Sequence, residues 1–491
     1  VTAVLGPDVT TNEAPLMSRV RALAIGQTLV KVCYIAIAFV LVRSLTSGVW
    51  NEVALGLSVY MVATVAATLS LEQSIVYQVP QQTRNAALGF ARRTLGTLVG
   101  LGVVGAFVLC LIEWRFAILG FPTMLAVALT VLVDAPLTMV SPWLIVNQRE
   151  NTAGWWMGSS AVLMFCGVVC GSLPSGATAR TIFIGMAIAA LVRLPVALRL
   201  LWPVIVHSSP ERTSISLRLQ LGFCVPLALA LTGGVLTRAI DKWMVAVFDP
   251  MSLGSYVIAA QEIPLLSVLP YAGATAIAAS LSNKLALGRV EDAFDEWSHQ
   301  VITMIDVVVP ITLALTVIGP ELLRVMSGRS SATAALAFQL FTLIGLHRVT
   351  EYGAVLRAAG RSSDVIKASL VLLVLNGVLA GVGGAIAGMV GVTIGSLCAF
   401  VVAWFFALHL LGRVLSKSVR EVFPWLVWAR AIATYSPPMV AVYAITASID
   451  VWTTRLGIKT LLLVAVVIGV RAIDRGRTVN TRTQMEGANH E

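Results

Sequence analysis

An apolar stretch of about twenty residues is long enough to cross the hydrocarbon of a bilayer. This chain of 491 residues holds about fourteen, near 20–43, 52–78, 90–112, 117–146, 153–173, 179–205, 219–248, 253–283, 298–318, 332–357, 365–388, 390–412, 431–449 and 456–473. Inside a bilayer every backbone N–H and C=O must find a partner within the protein, which leaves helices or a closed barrel. Stretches of this length predict helices, and the expected fold class is an all-α polytopic membrane protein. Composition agrees: 58% of the residues are hydrophobic and 12% charged, against roughly 25% charged in soluble domains.

The net charge of +10 does not point to nucleic acid, because the basic residues sit in short loops between apolar spans. With the N-terminus inside, cytoplasmic segments collect Arg19, Arg21, Arg92, Arg93, Arg149, Arg218, Arg361, Lys417 and others, and the outer side receives Arg43, Arg115, Arg180, Arg324, Arg329, Arg455 and Lys459, a ratio of about three to one. That asymmetry is the positive-inside rule at work, and it predicts cytoplasmic termini at both ends. Residues 1–15 are polar, and no cleavable signal is expected there.

The six cysteines, Cys33, Cys110, Cys166, Cys170, Cys224 and Cys398, all fall within apolar spans. They read as small buried hydrophobes rather than a disulfide or zinc framework. No loop is long enough for a soluble domain. Residues 285–297 and 413–426 have the amphipathic spacing of interfacial helices, and the polar tail, 474–491, reads as disordered.

The segments TSGVWNEVALGLSVY (46–60) and DPMSLGSYVIAAQEI (249–263) both follow a long charged span, make a short polar outer turn and open a second long helix. An offset of about 200 residues encloses an even number of helices, so the repeats are expected to be parallel. The implied division is residues 1–210 with six helices, 211–413 with six more, 414–473 with an interfacial helix and two additional helices, and the tail.

Near the start of the second repeat, a span with an early Pro226 carries Asp followed by Lys near its outer end (AIDKWMVAVF, 239–248), then a turn with Gly-x-Tyr (LGSYVIAAQ, 253–261). These residues resemble the polysaccharide-transporter, or Wzx-type flippase, branch of the MOP superfamily. The first-half segment SGVWNEVALGLSVYMV departs from the usual Gly-Tyr signature, having Trp50 instead. The resemblance implies two six-helix lobes facing a central cavity that opens alternately to either side. It also implies translocation of lipid-linked oligosaccharides carried on a polyprenyl pyrophosphate such as undecaprenyl pyrophosphate, and a bacterial inner membrane. The related lipid II flippases have about fourteen helices and a cationic cavity, and the cation-coupled multidrug exporters of the superfamily about twelve.

A charge at membrane depth costs roughly 2.5–3.5 kcal/mol on insertion scales, so intramembrane charges are the candidate site residues. Lys31 lies about 18 Å along a helix from both Arg19 and Arg43, near the bilayer centre. Arg238 and Lys242, four residues apart, share a helix face. The three cations are expected to receive the anionic pyrophosphate, Arg through a bidentate fork and Lys as a point charge. Asp241 either contributes to the cavity or neutralises one of its two basic neighbours. Glu262, ahead of Pro264 and Pro270, and Asp306, four before Pro310, are candidate proton or sodium coupling sites where a broken helix frees carbonyls. Glu72 and Asp134 pair either with Lys31 or with each other, and Arg348 with Glu351 within one helix. The glycine-rich segment 374–392, with Gly377 and Gly381 four apart, reads as close helix packing.

Three functions compete. A flippase for cell-surface polysaccharide assembly uses the cationic cavity, with a lipid-linked oligosaccharide, membrane lipids, a coupling H+ or Na+ and polysaccharide-assembly proteins as partners. A cation-coupled drug exporter needs acids where the first helix offers Lys31. A polytopic glycosyltransferase or polymerase needs acidic catalytic groups and a large outer loop, and the outer loops here are short. No GxxxxGK[ST] loop occurs, so no nucleotide cofactor is expected, and the chain reads as a transporter, not an enzyme.

Overall fold

The computed structural model describes residues 16–79, 82–174, 176–206, 215–261, 263–328 and 331–488, and its described elements are helical. The chain divides into two compact units, Val1–Ala246 and Val247–Glu491. Eleven described segments are long and apolar enough to cross a membrane, where the sequence predicts fourteen. The chain is thus a multi-pass membrane protein.

The first unit contains α1 (Leu16–Ser44), α2 (Ser47–Thr68), α3 (Leu71–Gln78), α4 (Arg84–Phe116), α5 (Phe121–Leu137), α6 (Val140–Val146), α7 (Glu150–Ser172), α8 (Ala179–Leu200), α9 (Trp202–Val206) and nearly all of α10 (Leu217–Phe248). Small residues set its tightest contacts. A Cβ on Gly26 of α1 would fall 2.5 Å from the Gly154 carbonyl oxygen of α7, and one on Gly167 of α7 2.5 Å from that of Gly185 on α8. Such contacts let backbones approach where lipid gives no hydrophobic drive between helices. The cluster of Leu71, Ile75, Phe90, Leu98 and Trp143 fills the space between α3, α4 and α6.

Two predicted spans are each two helices. The 52–78 span breaks after Thr68, where Leu69 (φ 45°) and Ser70 (φ 55°) are both left-handed. The 117–146 span breaks after Leu137, one residue past Pro136, which cannot donate to the helical ladder. The α4–α5 turn closes on a carboxylate: Glu113 accepts the backbone N–H groups of Ile118, Leu119 and Gly120, the last at 2.7 Å.

The second unit contains α11 (Leu253–Ala259), α12 (Pro264–Ala286), α13 (Val290–Ser327), α14 (Ala332–Leu343), α15 (Tyr352–Ala358), α16 (Ser362–Leu415), α17 (Val419–Val422), α18 (Trp425–Thr446) and α19 (Trp452–Ala488). The predicted spans 365–388 and 390–412 are the two arms of α16, reversed at Ala387 and Gly388 (φ 54°). The arms meet on glycine: a Cβ on Gly391 would lie 1.9 Å from the Gly383 carbonyl oxygen, and one on Gly395 2.1 Å from that of Leu379. The Asp249 carboxylate accepts the Met389 N–H at 3.2 Å and holds the tip of this hairpin.

Four expectations change here. Residues 290–297 are not a separate interfacial helix but the first turns of α13, whose 38 residues make one rod about 57 Å long. The predicted 332–357 span is interrupted at 344–351, so Arg348 and Glu351 do not share a helical turn, and Glu351 lies 4.0 Å from Arg357. The tail is helical to Ala488 rather than disordered, since extending an existing helix avoids the cost of nucleating one. Finally, the compact units divide at Ala246, after most of α10, rather than at residue 210.

Candidate functional site

In the first unit, α10 is pinned near both its ends. Towards its start, the buried Gln220 amide donates to Ser74 Oγ and Thr94 Oγ1, each at 2.9 Å, and its Oε1 accepts from Arg93 at 3.2 Å. Towards its end, Trp243 Nε1 donates to Ser58 Oγ of α2 at 2.8 Å. Between these anchors lies a cavity of about 280 Å³, lined by α2, the α2–α3 break, Thr138 and α10.

Helical spacing explains which side chains reach it. Leu231, Gly234, Val235 and Arg238 form one face of α10, and Thr64 and Thr68 are successive turns of one face of α2. Gly234 has nothing within 4 Å of where a Cβ would stand, so it leaves room on the α10 wall. Arg238 brings a permanent positive charge and donors only.

The opposite wall is made of acceptors. Thr64 Oγ1 donates to the Tyr60 carbonyl at 2.9 Å, Thr68 Oγ1 to the Val65 carbonyl at 3.0 Å, and Thr138 Oγ1 to the Ala135 carbonyl at 2.7 Å. The Thr64 and Thr138 hydroxyl hydrogens are directed at the backbone, so these groups present oxygen lone pairs, and the Thr68 hydroxyl also hydrogen-bonds the Glu72 carboxylate. Ser70 Oγ and Glu72 Oε2, both lining the cavity, are buried without a hydrogen-bond partner. The cavity lining therefore carries a basic side chain on α10 and a carboxylate and hydroxyl oxygens on α2, α3 and the α5–α6 junction.

One turn further along the Thr64 and Thr68 face, Tyr60 donates its hydroxyl to Asp134 at 2.5 Å, and Arg193 Nη2 of α8 donates to the other carboxylate oxygen at 2.5 Å. Asp134 and Arg193 are 6% and 8% exposed. The expectation that Asp134 pairs with Glu72 or Lys31 is corrected: its partners are Arg193 and Tyr60, because α5 packs against α8 and α2.

Of the remaining candidates, Lys31 is exposed on α1 and Lys242 directs its ammonium to the Arg238 carbonyl, and neither lines the cavity. Asp241 is buried and accepts the Lys242 backbone N–H. Asp306 is exposed on α13, and its carbonyl accepts from Arg471. Glu262 lies outside the described residues. The structure thus brings together Arg238 and Glu72 from the sequence candidates. The hydroxyl wall and the Gln220 and Trp243 anchors have no charge to announce them. Tyr60, Thr64 and Thr68 were visible only as a four-residue polar period in α2.

No family model matches the sequence, and no curated protein matches it. Solved structures do match. Lipid II flippase MurJ, in an inward closed conformation, is 13% identical, with 93% of this chain and 99% of that chain covered and a TM-score of 0.68. A MOP superfamily transporter from Pyrococcus furiosus is 13% identical, covering 82% and 96% at a TM-score of 0.55. A multidrug resistance MATE family transporter of the MOP superfamily, inward-facing, is 12% identical, covering 82% and 99% at 0.58. What is shared at these identities is the fold. This chain has the helical transporter fold of MurJ and the MATE proteins.

Proposed function

We propose that the protein is a flippase that moves a polyprenyl-pyrophosphate-linked oligosaccharide from the inner to the outer leaflet of a bacterial inner membrane, serving cell-surface polysaccharide assembly. The observation that carries the reading is Arg238, placed on an open face of α10 in a cavity of mixed polar and apolar lining within a membrane helix bundle. A guanidinium there suits a diphosphate through paired N–H···O bonds. In this reading transport is by alternating access, the lipid tail stays in the bilayer, and both termini are cytoplasmic. Lys31 and Lys242 add positive charge along the path, the energy comes from an ion gradient, the membrane potential or withdrawal of product, and Glu72, Asp241, Glu262 and Asp306 serve ion coupling or the charge of the cavity.

The test is binding of a polyprenyl-pyrophosphate oligosaccharide to the purified chain, compared with Arg238→Ala, Lys31→Ala and Lys242→Ala. A hydrogen bond to a charged group is worth about 1.5–3 kcal/mol, so Arg238→Ala is expected to weaken binding about tenfold or more. Binding unchanged in Arg238→Ala overturns the assignment of the site.

A second reading, a cation-coupled exporter of cationic compounds, is favoured by one observation: Glu72 and its hydroxyl neighbours make one wall of the cavity rich in acceptors. Selective binding of a cationic dye, lost in Glu72→Gln and kept in Arg238→Ala, would establish it over the flippase.

A further inference from the structure

We propose that the open end of the α16 hairpin binds an anionic phospholipid, with the headgroup phosphate held by Arg361, Lys367 and Arg413 and an acyl chain laid along an exposed ridge of the first arm. Because α16 reverses at Ala387 and Gly388, its start and its end come to one membrane face. They stay together there: Ala368 of the first arm and Ala407 and Leu410 of the second are buried in one cluster with Leu356 of α15.

Three cations gather at this end around one acid. Arg361 Nε lies 2.8 Å from Asp364 Oδ2 and Lys367 Nζ 2.8 Å from Oδ1. Arg413, in the last turn of the second arm, is close enough to act on the same carboxylate. Asp364 has a structural use of its own, since an acid in the first turn complements the helix dipole. It is 1% exposed, and its single negative charge leaves two of the three positive charges unbalanced. Glu351 and Glu291, on flanking elements, each lie beside a cation of their own, Arg357 at 4.0 Å and Lys417 at 2.9 Å.

The cations keep donors for a ligand. Arg361 meets Asp364 through Nε, one of the five N–H donors of a guanidinium, and its side chain is 38% exposed. Lys367 is 59% exposed with three donors on its ammonium, and Arg413 is exposed as well.

Beyond the cations the surface turns apolar. Leu370, Val374, Val378, Val382 and Ile386, all exposed, follow Lys367 at a spacing of three and then four, which makes them one ridge of the helix. On the second arm the exposed Val401 and Phe405 lead at the same four-residue spacing through His409 to Arg413. A phospholipid joins a phosphate to acyl chains, and cations at the end of an exposed apolar ridge fit both parts. A soluble phosphate uses the cations alone. With the termini cytoplasmic, as proposed above, this end of α16 meets the inner leaflet, where anionic lipids attract basic groups near the surface. The site belongs wholly to the second unit and does not rest on the transport reading.

The purified full chain in detergent is titrated with phosphatidylglycerol or phosphatidylcholine, and bound lipid is counted by native mass spectrometry. A basic group near an anionic surface contributes about fivefold in affinity. The expected result is tighter binding of phosphatidylglycerol, weakened about fivefold in Lys367→Gln, weakened further when Arg413→Gln is added, and restored in Lys367→Arg. Arg92→Gln, which removes an exposed basic group of the first unit, is expected to leave binding unchanged. Where the double variant does not fold, Lys367→Gln against Lys367→Arg decides. Equal affinity for the two lipids overturns the site. A loss in Arg92→Gln equal to that in Lys367→Gln also overturns it, by showing general attraction to basic surface. Displacement of phosphatidylglycerol by an equal concentration of inorganic phosphate overturns the lipid assignment.

Discussion

Arg193 on α8 donates to Asp134 on α5 at 2.5 Å, and Tyr60 on α2 donates to the other oxygen of the same carboxylate. One acid thereby ties three helices of the first unit together, beside the cavity whose α2 wall continues from Tyr60 to Thr64 and Thr68. The pair is neutral as a whole, which is what allows two ionised groups to lie inside a bundle in lipid.

Removing one partner leaves the other charge buried and uncompensated, at a cost of about 3–5 kcal/mol. Asp134→Asn and Arg193→Met are each expected to lower the melting temperature in detergent strongly. The double variant Asp134→Leu with Arg193→Met is expected to recover most of that loss, read as a double-mutant cycle. Additive losses in the cycle would show that the two side chains act separately.

Glu321 of α13 and Lys459 of α19 form the corresponding buried pair of the second unit, with Nζ 2.9 Å from both carboxylate oxygens and 4.7 Å from the centre of the Tyr443 ring. Here Arg455 lies 3.9 Å from the same carboxylate. Lys459→Met is therefore expected to cost less than Arg193→Met, because a second cation remains beside the acid. Hydrogen exchange should rise at the start of α19 and not in α1–α9, whereas a global rise would contradict a local anchoring role.

Gly391→Ala places a methyl 1.9 Å from the Gly383 carbonyl oxygen, so the arms of the α16 hairpin must separate. Overpacking of this kind costs about 1–3 kcal/mol. Gly457→Ala on α19 meets nothing within 4 Å and is expected to leave stability unchanged or raised by up to about 1 kcal/mol. Thermal unfolding of the two variants side by side checks the contrast.

Glu421 caps the short α17 by accepting the Ser418 backbone N–H at 2.9 Å and the Ser418 hydroxyl at 2.8 Å. These bonds, the backbone one first, hold its carboxyl below the ordinary glutamate value. A depressed folded-state value means the cap's contribution is complete above the ordinary glutamate range and fades as pH falls through the lowered value. Protection of the Ser418 amide, taken relative to its intrinsic exchange rate, is expected to fall only at acid pH. In Glu421→Gln that pH dependence is expected to disappear, and its persistence would assign it to another group.

Much of the fold was legible because lipid imposes strong rules. Apolar runs located the helices, and the boundary between residues 388 and 390 falls at the observed reversal at Ala387 and Gly388. What periodicity misses are interruptions without Pro or Gly. Leu69 and Ser70 carry no signal for left-handed backbone, yet they create the break on which Ser70 and Glu72 sit. The polarity of α13 changes along its length, which divides it for a reader of the sequence, whereas the helix continues from Val290 to Ser327.

The candidate site was legible only as charges. Arg238 and Glu72 stood out because a charge at depth is costly, and that cost is a property of the residue. Their meeting in one cavity, the pairing of Asp134 with Arg193, and the burial of Lys459 against Glu321 depend on which helices are neighbours. Residues 59 positions apart, as Asp134 and Arg193 are, have no local pattern to link them. Residue order alone implies a helical membrane protein and the inventory of charges that must be compensated. Their partners emerge only in three dimensions, because compensation is settled by distances across helix interfaces, and those follow from side-chain packing rather than from order along the chain.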